Sequence, residues 1–144
     1  MKKMYLLTIF VIVFIVFTFL FFYRDENTIS ANFLKTYGYD TEASPDIQTY
    51  YIPREFDQTM LEYNLIQLSS GYDLSAYKGR VVQKYTYRIT NLPFPLYSNI
   101  LMLNGKIISA DLTNPSLDGF ILPVLHINDL IKNHTPATND AVIP

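Results

Sequence analysis

Arg80-Val81-Val82-Gln83-Lys84-Tyr85-Thr86-Tyr87-Arg88-Ile89-Thr90 is the stretch that decides the fold. Val81, Tyr85, Tyr87 and Ile89 fall on odd positions, with Gln83 the exception. Arg80, Lys84, Thr86 and Arg88 fall on even ones, with Val82 the exception. Successive side chains of a strand point to opposite faces, so this period of two predicts a half-buried antiparallel strand.

Downstream, Leu92-Pro93-Phe94-Pro95 breaks the strand. Ser98–Leu103 and Lys106–Leu112 then flank Asn104-Gly105, the pair that best tolerates the two positive-φ residues of a type I′ hairpin. Consecutive strands usually pair, which predicts a meander from Arg80 to Leu112. Asn114-Pro115 and Asp118-Gly119 open further turns, and a short helix is expected to start near Asn128.

Upstream, Ile47–Ile52 has strand composition and ends at Pro53. Between it and Arg80 the spacing predicts a helix over Glu55–Ser69, with Leu61, Leu65 and Leu68 at i, i+4 and i+7 as its buried stripe and Met60 widening it. A shorter helix is predicted over Thr28–Tyr37, with Thr28 as N-cap and Gly38 at the left-handed position that ends it.

Met4 to Tyr23 runs for twenty residues without a charge. A helix of about 20 apolar residues matches a bilayer's hydrocarbon core. Lys2 and Lys3 precede it, so the positive-inside rule places residues 1–3 in the cytoplasm and the rest outside. The expected fold class is therefore α+β: an N-terminal transmembrane helix, then a small antiparallel sheet of about four strands covered by two helices on one face. The expected organisation is a tip at 1–3, a single-pass signal-anchor at 4–23, a juxtamembrane linker at 24–27, an extracytoplasmic domain at 28–120 and a C-terminal extension at 121–144. A cleaved signal peptide is the rival reading; the run is long for one, and Thr28-Ile29-Ser30 before Ala31 is a poor cleavage site.

The chain of 144 residues contains no cysteine, which excludes disulfides, thiolate metal sites and a cysteine nucleophile. Taking Lys2, Lys3 and Arg24 from the eleven basic residues leaves eight against thirteen acids, a balance of −5 beyond the apolar run. That acidity argues against nucleic acid as a partner.

Several phrases recur in a familiar order: Phe33-Leu34-Lys35-Thr36-Tyr37-Gly38-Tyr39, Ile52-Pro53-x-x-Phe56, Tyr72-Asp73-Leu74-Ser75-x-Tyr77-Lys78-Gly79, Tyr85-Thr86-Tyr87, Asn104-Gly105-Lys106-Ile107-Ile108 and Leu117-Asp118-Gly119-Phe120. Together they resemble a domain-of-unknown-function family of Gram-positive bacteria, in which a small extracytoplasmic domain follows an N-terminal anchor or signal. Ser109-Ala110 stands where the family pattern commonly has a Gly-Gly pair. The resemblance implies no activity and transfers no catalytic residue.

Candidate chemistry is sparse. His126 and His134, with Asp129, form no closed ligand set, and His126 is expected to pack among Val124, Leu125 and Ile127, so neither a metal nor another cofactor is expected. Asp73, Asp111 and Asp118 lie near turns, and Asp111 or Asp118 would be the acid of a small hydrolase-like enzyme. Arg80, Lys84 and Arg88 share one strand face and are the candidate anion contacts. Phe94 and Tyr97, in the proline-rich apolar loop, are the candidate partner contacts. The expected partners are the lipid bilayer through residues 4–23 and another envelope protein or a cell-wall component. The expected role is a non-enzymatic binding or interaction module at the cell envelope, with the hydrolase and a structural envelope protein as alternatives.

Overall fold

The computed structural model describes residues 2–22, 25–116 and 119–134. Helix α1 covers Lys2–Phe22, α2 Glu26–Thr36, α3 Gln58–Ser69 and α4 Ile127–His134. Five strands, β1 Asp46–Tyr51, β2 Val81–Arg88, β3 Tyr97–Leu103, β4 Lys106–Thr113 and β5 Ile121–Pro123, form one antiparallel sheet in sequential order.

The class is α+β, with two corrections to the expected architecture. First, among the described residues no helix is long and apolar enough to cross a membrane. That finding overturns the transmembrane reading of 4–23. The side chains described in α1 are Tyr5 and the run from Thr8 to Phe17, all exposed. Residue 23 and the side chains at 4, 6, 7 and 18–22 lie outside the described residues.

Second, among the described residues the sheet has five strands rather than four, and helices lie on both of its faces. One core gathers Leu34 of α2 and Leu130 of α4 against Tyr85, Tyr87, Ile100, Met102 and Leu112. The other gathers Met60 of α3 and Leu74 against Val82, Leu101 and Ile108. The reason lies in β3, where Ile100-Leu101-Met102 is buried throughout and so projects apolar side chains to both faces. Val82, the exception on the polar face of β2, belongs to the second core.

Local chemistry explains the element ends. Asp25, not Thr28, caps α2, its carboxylate accepting from the Asn27 amide. Gly38 closes α2 at φ +90: its N–H donates to Lys35 O, and the Tyr39 N–H donates back to Leu34 O. This is a Schellman ending, and Tyr39 and Leu34 share the first core. Asp57 caps α3 through the Met60 amide at 2.8 Å. Asn104 and Gly105 take φ values of 51 and 74, as a type I′ turn requires.

The meander from β2 to β4 forms as the strand pattern predicts. One irregularity matters: Met102 faces Ile107 but Leu101 faces Ser109, so Ile108 is the extra residue of a β-bulge.

Helix α3 is rotated from the orientation its leucines suggest. Met60, Asn64 and Gln67 are buried, while Leu61, Leu65 and Leu68 are 47%, 65% and 47% exposed. The inward polar groups meet specific partners, except Gln67 Nε2, which is buried without one. Asn64 Oδ1 accepts from the Leu74 amide at 2.8 Å, and its Nδ2 donates to Asp73. Gln67 Oε1 accepts from the Ala110 amide at 3.0 Å, beside the point where β5 ends opposite Asp111. These bonds satisfy buried backbone N–H groups that would otherwise be orphaned, at a cost of about 1–3 kcal/mol each.

Candidate functional site

On the α3 side of the sheet, a groove of about 690 Å³ opens along one flank of the helix. Thr59, Glu62, Tyr63 and Ile66 of α3 form one wall. Tyr50, Leu101 and Ile121 supply further apolar surface, and Lys84, Asn99, Asp111 and Thr113 supply the polar floor.

The floor is a row built by strand register. Thr86 of β2, Asn99 of β3 and Asp111 of β4 lie opposite one another across three adjacent strands. Thr86 Oγ1 donates to Asn99 Oδ1 at 2.9 Å, and Asn99 Nδ2 donates to Asp111 Oδ1 at 2.9 Å. The Thr113 hydroxyl donates to the same oxygen at 2.9 Å. From above, Tyr63 of α3 donates its hydroxyl to Asp111 Oδ2 at 2.6 Å, the short separation of an O–H bound to a carboxylate. Ser109 Oγ lies 3.2 Å from the same phenol oxygen.

Asp111 is almost wholly buried. Burial pushes its carboxyl above the usual carboxylate range, while the bonds from Tyr63, Asn99 and Thr113 and the nearby Lys84 charge pull it back. Burial also raises the Tyr63 hydroxyl, and the Asp111 charge adds to that. Both Asp111 oxygens thus carry donors. The other groove carboxylates are also engaged: Asp57 Oδ1 caps α3, and Glu62 Oε1 accepts from Gln58 Nε2 at 2.8 Å.

The residues singled out from sequence scatter. Of the basic row, Lys84 is half-buried in the groove, Arg80 is exposed outside it, and Arg88 is exposed and paired with Glu42 at 3.1 Å. Phe94 packs on the first core, and Tyr97 opens β3 opposite Arg88 and Thr113, beside the groove but not in its lining. Asp111 lies inside β4 rather than at a turn, and Asp118 lies outside the described residues. Asp73 is exposed, and the Ser75 hydroxyl, then the Ser75 amide and Asn64, hold its carboxyl below the usual range. His126 is exposed rather than packed, its carbonyl accepting from the Asp129 and Leu130 amides at the start of α4. His134's side chain is outside the described residues. Among the described residues, no three His, Asp or Glu side chains stand close enough to hold a metal.

Sequence reasoning named Asp111 and Lys84 but missed Tyr63, Asn99 and Thr113. Asn99 and Asp111 did carry a signal, since each is a polar residue within an otherwise apolar strand.

Residues 33–112 match the family described as Domain of unknown function (DUF4830). The chain belongs to this family. The matched segment of the DUF4830 domain runs from the second half of α2 through β4. It therefore contains Tyr63, Lys84, Asn99 and Asp111, with Thr113 and Ile121 just beyond it. No curated protein and no solved structure gives a significant match.

Proposed function

We propose that the DUF4830 domain is a binding module, and that the α3 groove holds an elongated amphipathic ligand. The observation that carries this reading is the groove's make-up: an apolar wall of Met60, Ile66, Leu101 and Ile121 above a few convergent polar groups. Its volume is in the range of small-molecule sites, about 300–1,000 Å³. The apolar part of the ligand lies against that wall, and its polar head reaches Lys84, Asn99 and Thr113. Hydrolase chemistry at Asp111 fits less well. A general base needs a lone pair directed at substrate, and Tyr63, Asn99 and Thr113 occupy the Asp111 oxygens.

A fragment screen by amide NMR on the isotope-labelled full chain tests the proposal. Hits carrying an alkyl or aromatic body and a polar head should shift the amides of Thr59–Ile66, Lys84 and Asn99–Leu101 together. Thr113→Tyr, which fills the groove at a half-buried position, should abolish those shifts while the rest of the amide spectrum stays that of the folded chain. Hits that gather on the Phe94–Tyr97 loop, or shifts that persist in Thr113→Tyr, would overturn it.

A further inference from the structure

Among the described residues, strand β1 is an edge of the sheet, paired with β2 on one side only. Its sequence, Asp46-Ile47-Gln48-Thr49-Tyr50-Tyr51, carries no Lys, no Pro and no bulge, the usual devices that protect an edge from pairing. Five of its six residues are exposed.

The direction of its free hydrogen-bonding groups follows from the ladder. The Ile52 N–H donates to Arg80 O, and Arg88 O accepts from the Glu42 amide, so even-numbered residues turn their backbone groups toward the β1–β2 seam. On β2, the odd-numbered Ile89 turns the other way and donates to Leu96 O. Successive residues of an antiparallel strand alternate in this direction. Ile47, Thr49 and Tyr51 therefore aim N–H and C=O out of the free edge.

The same three residues project their side chains to one face, the side of Tyr85, beyond the reach of the first core. Ile47 and Tyr51 are each 51% exposed, and Val81, opposite Tyr51, is 57% exposed.

We infer that β1 pairs with β1 of a second copy of this chain, antiparallel about a two-fold axis at Thr49. Placing Thr49 opposite the partner's Thr49 sets Ile47 against the partner's Tyr51, and the reciprocal pair follows from symmetry. Every outward backbone group of the three residues is then satisfied, by about six hydrogen bonds, because each such pair exchanges two. The half-exposed Ile47 and Tyr51 become an aromatic–β-branched cross-strand pair, a favourable combination. Any register offset by one residue would bring inward-directed backbone groups to the seam and leave both side chains unpaired. Asp46 is the strand's single charge, and this register keeps the two copies of it at opposite ends of the ribbon. The interface is isologous and closes on itself. The other sheet edge, β5, is three residues ending in Pro123, a poor template for further growth.

The absence of cysteine makes the test direct. In the proposed register the Thr49 Cα atoms stand about 5.5 Å apart, within the span of a disulfide. Thr49→Cys in the full chain should oxidise to a covalent dimer, whereas Leu65→Cys on the outer flank of α3 should not. By sedimentation velocity at tens of micromolar, the unmodified chain should be dimeric and Thr49→Lys monomeric, since like charges then face each other. Mixing Thr49→Lys with Thr49→Glu should restore the dimer, which also shows that both variants fold. A monomeric unmodified chain, a dimer indifferent to Thr49→Lys, or equal crosslinking at positions 49 and 65 would each overturn the inference. A chain that is monomeric alone but forms a Thr49→Cys adduct with an extended segment of another protein would likewise replace the second copy with that segment.

Discussion

Tyr63→Phe removes one hydroxyl and tests whether the Asp111 row is an electrostatic structure or ordinary packing. The hydroxyl donates to Asp111 Oδ2 at 2.6 Å, and the carboxylate it serves is buried. Hydrogen bonds to charged groups contribute about 1.5–3 kcal/mol net, and the orphaned carboxylate oxygen places this case toward the upper end. A loss of about 2 kcal/mol moves a urea midpoint by roughly 1 M for a domain of this size. The pH dependence is the sharper readout. Asp111's folded carboxyl is already raised by burial, so ionising it costs the folded state: stability present at low pH is lost as pH rises through the folded value. The Tyr63 bond lowers that value, and removing it raises the value further. The loss in Tyr63→Phe should therefore be greatest at neutral pH and shrink as Asp111 becomes protonated. Urea denaturation of both proteins followed by far-UV circular dichroism, at pH 7.5 and near pH 4, measures this. An equal loss at the two pH values, or less than about 0.5 kcal/mol at neutral pH, would refute the assignment of Tyr63 as the donor that stabilises a buried charge.

Leu65→Lys should change stability by no more than about 0.5 kcal/mol in the same assay, because Leu65 is 65% exposed; a loss above 2 kcal/mol would mean that α3 buries its leucines after all. Gly38→Ala should destabilise by about 1–3 kcal/mol, seen as a lowered melting temperature, because the residue sits at φ +90 and an added Cβ would stand 2.6 Å from Ile127 Cγ2. Tyr87→Phe should cost about 1–2 kcal/mol, because its hydroxyl joins β2 to α2, lying 2.7 Å from both Ser30 Oγ and Asn27 Oδ1. In that variant the amides of α2 should also exchange hydrogen faster than those of β3, and an unchanged α2 would count against the role given to this hydroxyl.

What the sequence shows plainly is what short-range chemistry controls. Alternation in Arg80–Thr90 gives β2, Asn104-Gly105 gives the hairpin, and Gly38 gives the end of α2. What it conceals depends on contacts between distant segments. The fifth strand is three residues long and ends in proline, too short for periodicity to register. The second covered face is hidden because β2 alone has the pattern of a half-exposed strand, whereas β3, deeper in the sheet, buries apolar residues on both faces. The leucines of α3 point outward because three of its polar side chains, at 63, 64 and 67, bond groups more than eight residues away. Helical periodicity records hydrophobicity but not the value of a satisfied buried amide, so it selects the wrong face by about 100°.

The groove floor illustrates the same limit at one-residue scale. Counting back from Asn104-Gly105, with Leu103 opposite Lys106, a regular ladder would set Asn99 against Ala110. That register would leave Asp111 on the opposite face, among the apolar residues of the first core, where no donor meets it. The bulge at Ile108 adds one residue to β4, sets Asn99 against Asp111 and turns the carboxylate toward Tyr63. It also places Ile108 and Ser109 on the α3 side together, one filling the second core and the other reaching the Tyr63 hydroxyl. Bulges re-aim side chains beside functional sites in many sheets. Here a single inserted residue decides both that the second core is filled and that the polar row exists, and no local property of Ile107-Ile108-Ser109 announces it.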